Sequence, residues 1–446
     1  MVFPIPDNDT IARLYPNSLR LKLVQTVSRH GERSPVYPGG VPMKKCHLTP
    51  FLHAVYYAME MRNLSPPPLY NQPHHESLPS LSNIVFEGNI KPNSSLSLKA
   101  LQAVTDDGTC FNGQLTDKGK NTMETMGACL RKLYIDKLKF LNPTLDSHNK
   151  DIYLRSTDIA RTLESLQYLV NGLYPAHQRD TGGSKDMDLR VHVRSDETLY
   201  PVRECKYLDA LSKMLRKDLL QQGNGDIDKA FARHANFDSG FPKKGDLEFN
   251  HLNSLYDNFI CLQAHGEPLP AGVTNQDVLE LEQMVVKYWW GVFKNAELAR
   301  MAIGRFVKDL KDRMEDSIAN PETSVKLAVY SAHDSTVGPL TNAFGVFDGR
   351  FPPFASMVAF ELFEDLGKHS STNPAVSQPH EKDKEHYVRM LYEGKPTHVP
   401  ACQHQGNHHP DDTTLCTWKA FKDAMDRAIP DNWDKMCSSH AESSGS

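Results

Sequence analysis

The sequence predicts an α/β protein, with a mostly parallel central sheet flanked by helices and a mainly helical cap inserted into it. Three observations point there. Short apolar runs rich in β-branched residues, at Leu21 to Arg29, Asp151 to Arg155 and Ser324 to Asp334, read as buried strands that lead into loops and helix starts. The stretch 176–289 carries helical periodicity and few β-branched runs. The chain, at 446 residues, is longer than one hydrophobic core usually fills.

Taken in order, "LKLVQTVSR" is bounded by Gly31 and Pro35, which makes it a strand feeding a loop. The Pro-, Ser- and Asn-rich text that follows, to Gly113, reads as an irregular insertion with little helix. Thr116 is a candidate N-cap for a helix with Met123, Met126, Leu130, Leu133 and Tyr134 on one side. After the strand "DIYLR", Ser156 or Thr157 is expected to cap a helix whose apolar face is Ile159, Leu163, Leu166 and Leu169 or Val170, and Pro175 stops it. The strand ending at His333 and Asp334 precedes a helix with Ser335 as the expected cap. "MVAFELFED" and "HYVRMLYEG" then read as a hairpin or edge pair across the polar loop 366–385. The predicted organisation is a discontinuous core over 14–175 and 290–437, a helical cap over 176–289, an irregular insert over 40–110 and a disordered tail over 438–446.

Composition narrows the function. Apolar residues make up 39% and charged residues 24%, an ordinary globular balance. A formal net charge of −5 gives no broad basic surface for nucleic acid or anionic membrane, so any anion site must be local. No apolar run reaches the roughly 18 residues of a membrane helix. The N-terminus lacks the charge and apolar pattern of a signal peptide. Eight cysteines and sequons at Asn8, Asn63 and Asn93 favour a secreted or organellar chain whose leader has been replaced by Met, with the cytosol as the other reading.

The chemistry gathers at three strand ends: Arg29 and His30, then Arg155, then His333 and Asp334. In a parallel α/β sheet, ligands bind at the carboxyl ends of the strands, and helix N-termini there favour anions. Arg29, Arg33 and Arg155 offer planar forks that match phosphate oxygens and stay charged at any working pH. His30 supplies a nitrogen nucleophile, and Asp334 a proton donor and later base. Such a site hydrolyses a phosphate monoester with neither metal nor cofactor. Taken singly, Arg29 and Arg33 read as surface charges and Arg161 as a helix salt-bridge partner, so Arg161 is left outside the set.

"RHGERSP" and "SAHDST" resemble the two signatures of the histidine acid phosphatases, and "GQLTDKG" and "RSTDIARTLES" are similar to their intervening segments. "GVFDGRFPPFA" and "DETLYPVRECKYLDALSK" look nearest to the lysophosphatidic acid phosphatase type, with the prostatic and lysosomal types next. The resemblance implies a phosphoglycerate-mutase-like core and His30 as the phosphorylated nucleophile. It assigns phosphate binding to Arg29, Arg33, Arg155 and His333 and proton donation to Asp334. It further implies an acidic optimum, where Asp334 is protonated and His30 is not. The substrate is a small phosphomonoester or lysophospholipid, a phytase-like inositol phosphate preference being the alternative. A cytosolic RHG phosphotransferase and a non-catalytic binding protein of the same fold are weaker readings. The resemblance also pairs Cys205 with Cys437 and Cys402 with Cys416, leaving Cys261, Cys46, Cys110 and Cys129 without assigned partners.

Three clusters have plainer readings. The histidines of "HQGNHHP" (404–410) and "PHHES" (73–77) belong to polar loops rather than metal sites. Tyr288, Trp289 and Trp290 fit helix packing at least as well as a lipid or aryl pocket.

Overall fold

The structure, a computed structural model, describes residues 3–36, 46, 83–87, 110, 112–145, 150–179, 188–192, 195–201, 205–223, 225, 248–367 and 385–439. Its ten-stranded sheet contains β1 (Leu19–Arg29), β2 (Asn83–Glu87), β3 (Ile152–Ser156), β4 (Asp188–His192) and β5 (Leu327–Ala332). The rest of it is β6 (Met357–Asp365), β7 (His386–Tyr392), β8 (Lys395–Pro396), β9 (His408–His409) and β10 (Asp412–Thr417). The strand order is β2-β4-β3-β5-β1-β6-β7-β10-β9, with β8 on β7. Pairing is parallel from β2 across to β1. From β1 to β6 and onward it is antiparallel, and the predicted hairpin β6–β7 lies in that wing.

The helices are α1 (Asn8–Leu14), α2 (Asp117–Leu130), α3 (Ala160–Leu173), α4 (Lys206–Gln222) and α5 (Glu248–His265). They continue with α6 (Asn275–Val285), α7 (Ala296–Ala319), α8 (Asp334–Ala343), α9 (Trp418–Ala428) and α10 (Trp433–Ser439). The alternation of strand side chains divides the core in two. On one face, Val24, Leu154 and Val329 meet Met123, Met126 and Leu130 of α2 and Leu163, Leu166 and Leu169 of α3. On the other, Val27 and Tyr330 meet Phe306 and Leu310 of α7, Val337 and Leu340 of α8, and Phe421 and Met425 of α9. Covered on both faces, β5 is buried along its whole length, which explains why its sequence reads as a continuous apolar run.

Over the sheet, α5 and α6 bury a separate apolar cluster, in which Leu252, Leu255 and Phe259 face Val278, Leu281 and Val285. Two stretches expected to lie outside the sheet extend it instead. β4 comes from the 176–289 segment, and β2 from the 40–110 segment pairs with it in parallel. Apart from Cys46 and Cys110, the remainder of 40–110, with the sequons at Asn63 and Asn93 and the PHHES histidines, lies outside the described residues, as does most of the 438–446 tail. Trp290 is fully buried against Phe293 and Phe351, so its side chain is packing material rather than pocket wall. Disulfides join Cys205 to Cys437, Cys402 to Cys416, and Cys46 to Cys110; the last pairing has no signature in the sequence.

Two caps differ from expectation. Thr116 does cap α2, accepting from the Gly119 N–H. The next helix, however, begins at Ala160 with Ile159 in the cap position, because the Thr157 hydroxyl is engaged by Thr162 and His333. α8, by contrast, begins two residues earlier than predicted, at Asp334, with His333 rather than Ser335 in the cap position and Thr336 accepting its N–H.

Candidate active site

Register explains how residues three hundred positions apart meet. β1 and β5 run parallel and in step up to the pair Arg29 and Ala332. The His30 N–H carries the ladder one step further, donating to the Ala332 carbonyl at 3.0 Å. Arg29 and His30 therefore leave the sheet beside His333 and Asp334, at the carboxyl edge where parallel strands deliver ligand-binding residues. The His30 and His333 rings lie edge to face, 5.6 Å between centroids.

After His30 the chain turns within a space that admits only glycine. A Cβ at Gly31 would stand 2.5 Å from the Gly119 carbonyl oxygen, and one at Gly119 would stand 2.1 Å from that of Glu32. The loop is thus pressed onto the first turn of α2. The Glu32 carbonyl also accepts from the Thr116 N–H at 3.0 Å, and Gly31 N–H donates to Ser165 Oγ at 3.1 Å. These contacts fix the direction in which Arg33 leaves the loop.

His30 Nδ1 lies 2.9 Å from the Gly31 carbonyl, which can only accept. Nδ1 therefore carries the proton, and the lone pair stands on Nε2. Burial, and after it the charges of Arg161, Arg29 and Arg33, hold the imidazole well below its ordinary 6.5. The same causes in the same order hold His333 down. Both rings are neutral in mild acid. His333 Nε2 is 3.0 Å from Thr157 Oγ1, and Thr157 in turn is 2.6 Å from Thr162 Oγ1, so hydroxyls anchor that ring from behind.

The guanidiniums are held by their tips. Arg29 donates through Nη1 to the Pro352 carbonyl at 2.6 Å, pairs through Nη2 with Asp334 at 3.0 Å, and lies over the Phe354 ring at 4.1 Å. Arg33 grips both oxygens of Asp257 on α5, at 2.8 and 3.1 Å. Arg161, near the start of α3, completes the group. Burial pushes it down to about 10, Arg33 adding to the effect, so it remains a cation at any working pH. In all three the Nε–H is buried and has no hydrogen-bond partner among the described residues. The Nε–H groups of Arg155 and Arg389 have no partner among them either, so it is the convergence of Arg29, Arg33 and Arg161 on one imidazole that makes an anion site. Asp334, the first residue of α8, is 21% exposed at its side chain, between the arginines and solvent.

Arg155 is not in this group, contrary to the sequence reading. Alternation along β3 sends Leu154 to the α2–α3 face and Arg155 to the α7 face. There it donates to Glu197 at 2.7 Å, Asp309 at 2.9 Å and Thr198 Oγ1 at 2.8 Å. Arg161, set aside as a helix salt-bridge partner, takes the place at the site. The signal that identifies it is position: the second residue of a helix that follows a parallel strand faces the ligand edge of the sheet. Asp257 has no signature in the sequence: nothing in "YDNFICLQAH" marks one acid of a cap helix as special. Among the described residues no group of His, Cys, Asp and Glu is arranged to hold a metal ion, and no helix is long and apolar enough to cross a membrane.

Comparison with known proteins agrees with this chemistry. The sequence profile described as the histidine phosphatase superfamily (branch 2) matches residues 20–393. A probable acid phosphatase of Schizosaccharomyces pombe is 28% identical, over 95% of each chain. Lysophosphatidic acid phosphatase type 6 of Homo sapiens is 29% identical, over 94% of this chain and 86% of its own. Lysosomal acid phosphatase of Bos taurus is 29% identical, over 73% and 72%. Among solved structures, the apo phytase of Hafnia alvei superposes with a TM-score of 0.55 at 14% identity, over 95% of this chain and 99% of its own, and shows the fold alone.

Proposed function

The chain belongs to the histidine phosphatase superfamily, branch 2, and from that premise we propose that it hydrolyses phosphate monoesters through a phosphohistidine formed on His30. It is an acid phosphatase, a phosphomonoester hydrolase. The observation that carries the assignment to His30 is its tautomer: Nδ1–H is tied to Gly31, so the Nε2 lone pair is available among three guanidiniums with unpaired Nε–H groups.

In the first step Nε2 attacks phosphorus, a P–N bond forms and the P–O bond to the leaving group breaks. The protonated carboxyl of Asp334 gives its proton to the departing alkoxide. In the second step Asp334 takes a proton from water, the hydroxide attacks phosphorus, and the P–N electron pair returns to Nε2. Arg29, Arg33 and Arg161 bind the equatorial oxygens, where charge is greatest in the transition state. His333, anchored by Thr157, adds a further contact. A general acid supplies roughly 10²- to 10⁴-fold. Phosphate monoester hydrolysis calls for accelerations up to about 10²¹-fold, so the arginines and positioning provide most of the effect.

Lysophosphatidic acid is the substrate class that the relatives favour, since one that covers nearly the whole chain is a lysophosphatidic acid phosphatase. The surroundings of Arg29 support a single phosphate on an apolar body: Phe354 and Phe351 lie 4.1 and 5.2 Å from the guanidinium, and the Tyr256 ring is tilted against Phe351 with 5.2 Å between centroids. Arg350, the cation next along the chain, is paired with Glu282, so it does not invite a second phosphate. The test compares kcat/KM for lysophosphatidate with that for inositol hexakisphosphate near pH 5. The lysophospholipid is expected to be preferred at least tenfold, and equal or reversed values overturn the substrate assignment. The three disulfides among the described residues support a compartment outside the cytosol.

A further inference from the structure

A polar stripe runs along cap helix α5 at intervals of four residues: Asp257, Cys261 and His265. Each touches the segment that carries Arg33. Asp257 Oδ1 accepts from Arg33 Nη2 at 2.8 Å, and Oδ2 accepts from Arg33 Nη1 at 3.1 Å and from the Val36 N–H at 2.9 Å. Cys261 Sγ lies 3.6 Å from Arg33 Nη1. His265 Nε2 is 2.7 Å from Thr116 Oγ1, the cap of α2 that also bonds the Glu32 carbonyl. All three residues are buried or nearly so. The sole bidentate grip on any guanidinium of the site, among the described residues, therefore comes from the cap and not from the sheet.

We propose that Asp257 is a positioning residue for the phosphate reaction, fixing from the cap the edge that Arg33 turns toward the phosphoryl group. A guanidinium has two forks. The end-on fork, Nη1 and Nη2, is filled by Asp257. The side-on fork, Nε and the second hydrogen of Nη2, is left over, and Nε is one of the orphaned donors of the site. Without Asp257 the long side chain would be free to rotate and offer either fork, or to fold back on the Ser34 carbonyl that already accepts from Nη1 at 3.0 Å. Asp257 also carries a negative charge beside the anion site. That charge opposes the binding of any phosphate, so orientation and attraction act in opposite directions and are separable by kinetics. The inference rests on the reading of Arg33 as a phosphate ligand.

The experiment is a double-mutant cycle in the full chain, comparing Asp257→Asn, Asp257→Ala, Arg33→Ala and the double variants on p-nitrophenyl phosphate, with inorganic phosphate as inhibitor. Asp257→Asn keeps the side-chain shape, and near-UV circular dichroism verifies its fold. Misplacing one binding group by about 1 Å costs roughly 10²-fold, so kcat is expected to fall about 10- to 100-fold in Asp257→Asn. The inhibition constant for phosphate should stay level or tighten, since a like charge has gone. In the Arg33→Ala background the same substitution should change kcat by less than about twofold. Wild-type kcat in Asp257→Asn overturns the proposal. So does a full-sized loss in the Arg33→Ala background, or phosphate inhibition that weakens in step with kcat. An Arg33→Ala enzyme of wild-type activity is a different failure: it removes Arg33 from the site and the role of Asp257 with it.

Discussion

Arg155 and Arg161 stand six residues apart, and exchanging their expected roles gives a sharp prediction. Replacing Arg155 with Met removes the partner of Glu197, a carboxylate whose side chain is 1% exposed, held at 2.7 Å by a guanidinium that is itself 2% exposed. Glu197 keeps the N–H groups of Thr198 and Leu199, at 2.8 and 2.7 Å, but no cation. Breaking a buried pair from one side costs about 3–5 kcal/mol, because the remaining charge is uncompensated. Asp309 adds little, being 35% exposed and open to water. Arg161→Met is the converse. It relieves repulsion from Arg33 and Arg29, so stability should hold or rise. It also removes a charged donor from the transition state, worth roughly 10²- to 10³-fold in kcat/KM. Urea denaturation and steady-state hydrolysis of p-nitrophenyl phosphate read the two effects separately. The expected pattern is an unstable Arg155→Met with kcat/KM within about tenfold of wild type, and a stable Arg161→Met that is nearly inactive. A stable Arg155→Met with activity lost 100-fold, beside an active Arg161→Met, would refute the assignment.

Two further outcomes follow from the same geometry. Gly31→Ala places a methyl 2.5 Å from the backbone oxygen of Gly119, where no flexible side chain can yield. Overpacking of this kind costs about 1–3 kcal/mol and shifts the catalytic loop, so both the unfolding midpoint and kcat should fall; an unaltered enzyme contradicts the close fit. His333 is held neutral in the folded state and titrates at its ordinary 6.5 when unfolded. Its contribution to stability is therefore complete above pH 6.5 and is lost progressively as pH falls below that. Melts of His333→Asn in phosphate-free buffer should lose stability less steeply than wild type as pH falls below 6.5, and match its slope above that. Parallel slopes would mean that His333 is not buried as a neutral ring.

Much of this architecture is legible in the chain because burial on both faces writes itself into sequence. β1, β3 and β5 are short apolar runs with polar ends, and those ends deliver Arg29, His30, His333 and Asp334. Side-chain direction is less legible. Arg155 and Arg161 both flank a strand end, and only the phase of alternation on β3, set by packing against α7, decides that Arg155 turns from the ligand edge. Long-range partners leave still less trace. Asp257 meets Arg33 across 224 residues, and Cys46 meets Cys110 through text that otherwise reads as irregular. β2 and β4 were hidden for the same reason: five-residue strands inside polar inserts carry too little periodicity to stand out.

The central claim is that His30 becomes phosphorylated. It is tested most directly by quenching the enzyme during turnover of a ³²P-labelled monoester and locating the label by peptide mapping. A phosphorus–nitrogen bond is lost in acid and survives base. The account predicts an acid-labile, base-stable label on His30 in the wild type, accumulating in Asp334→Ala, where water is not activated for the second step if the leaving group is good enough to depart unaided. It predicts no label in His30→Ala. Label on a serine or carboxylate, or undiminished turnover by His30→Ala, would contradict it.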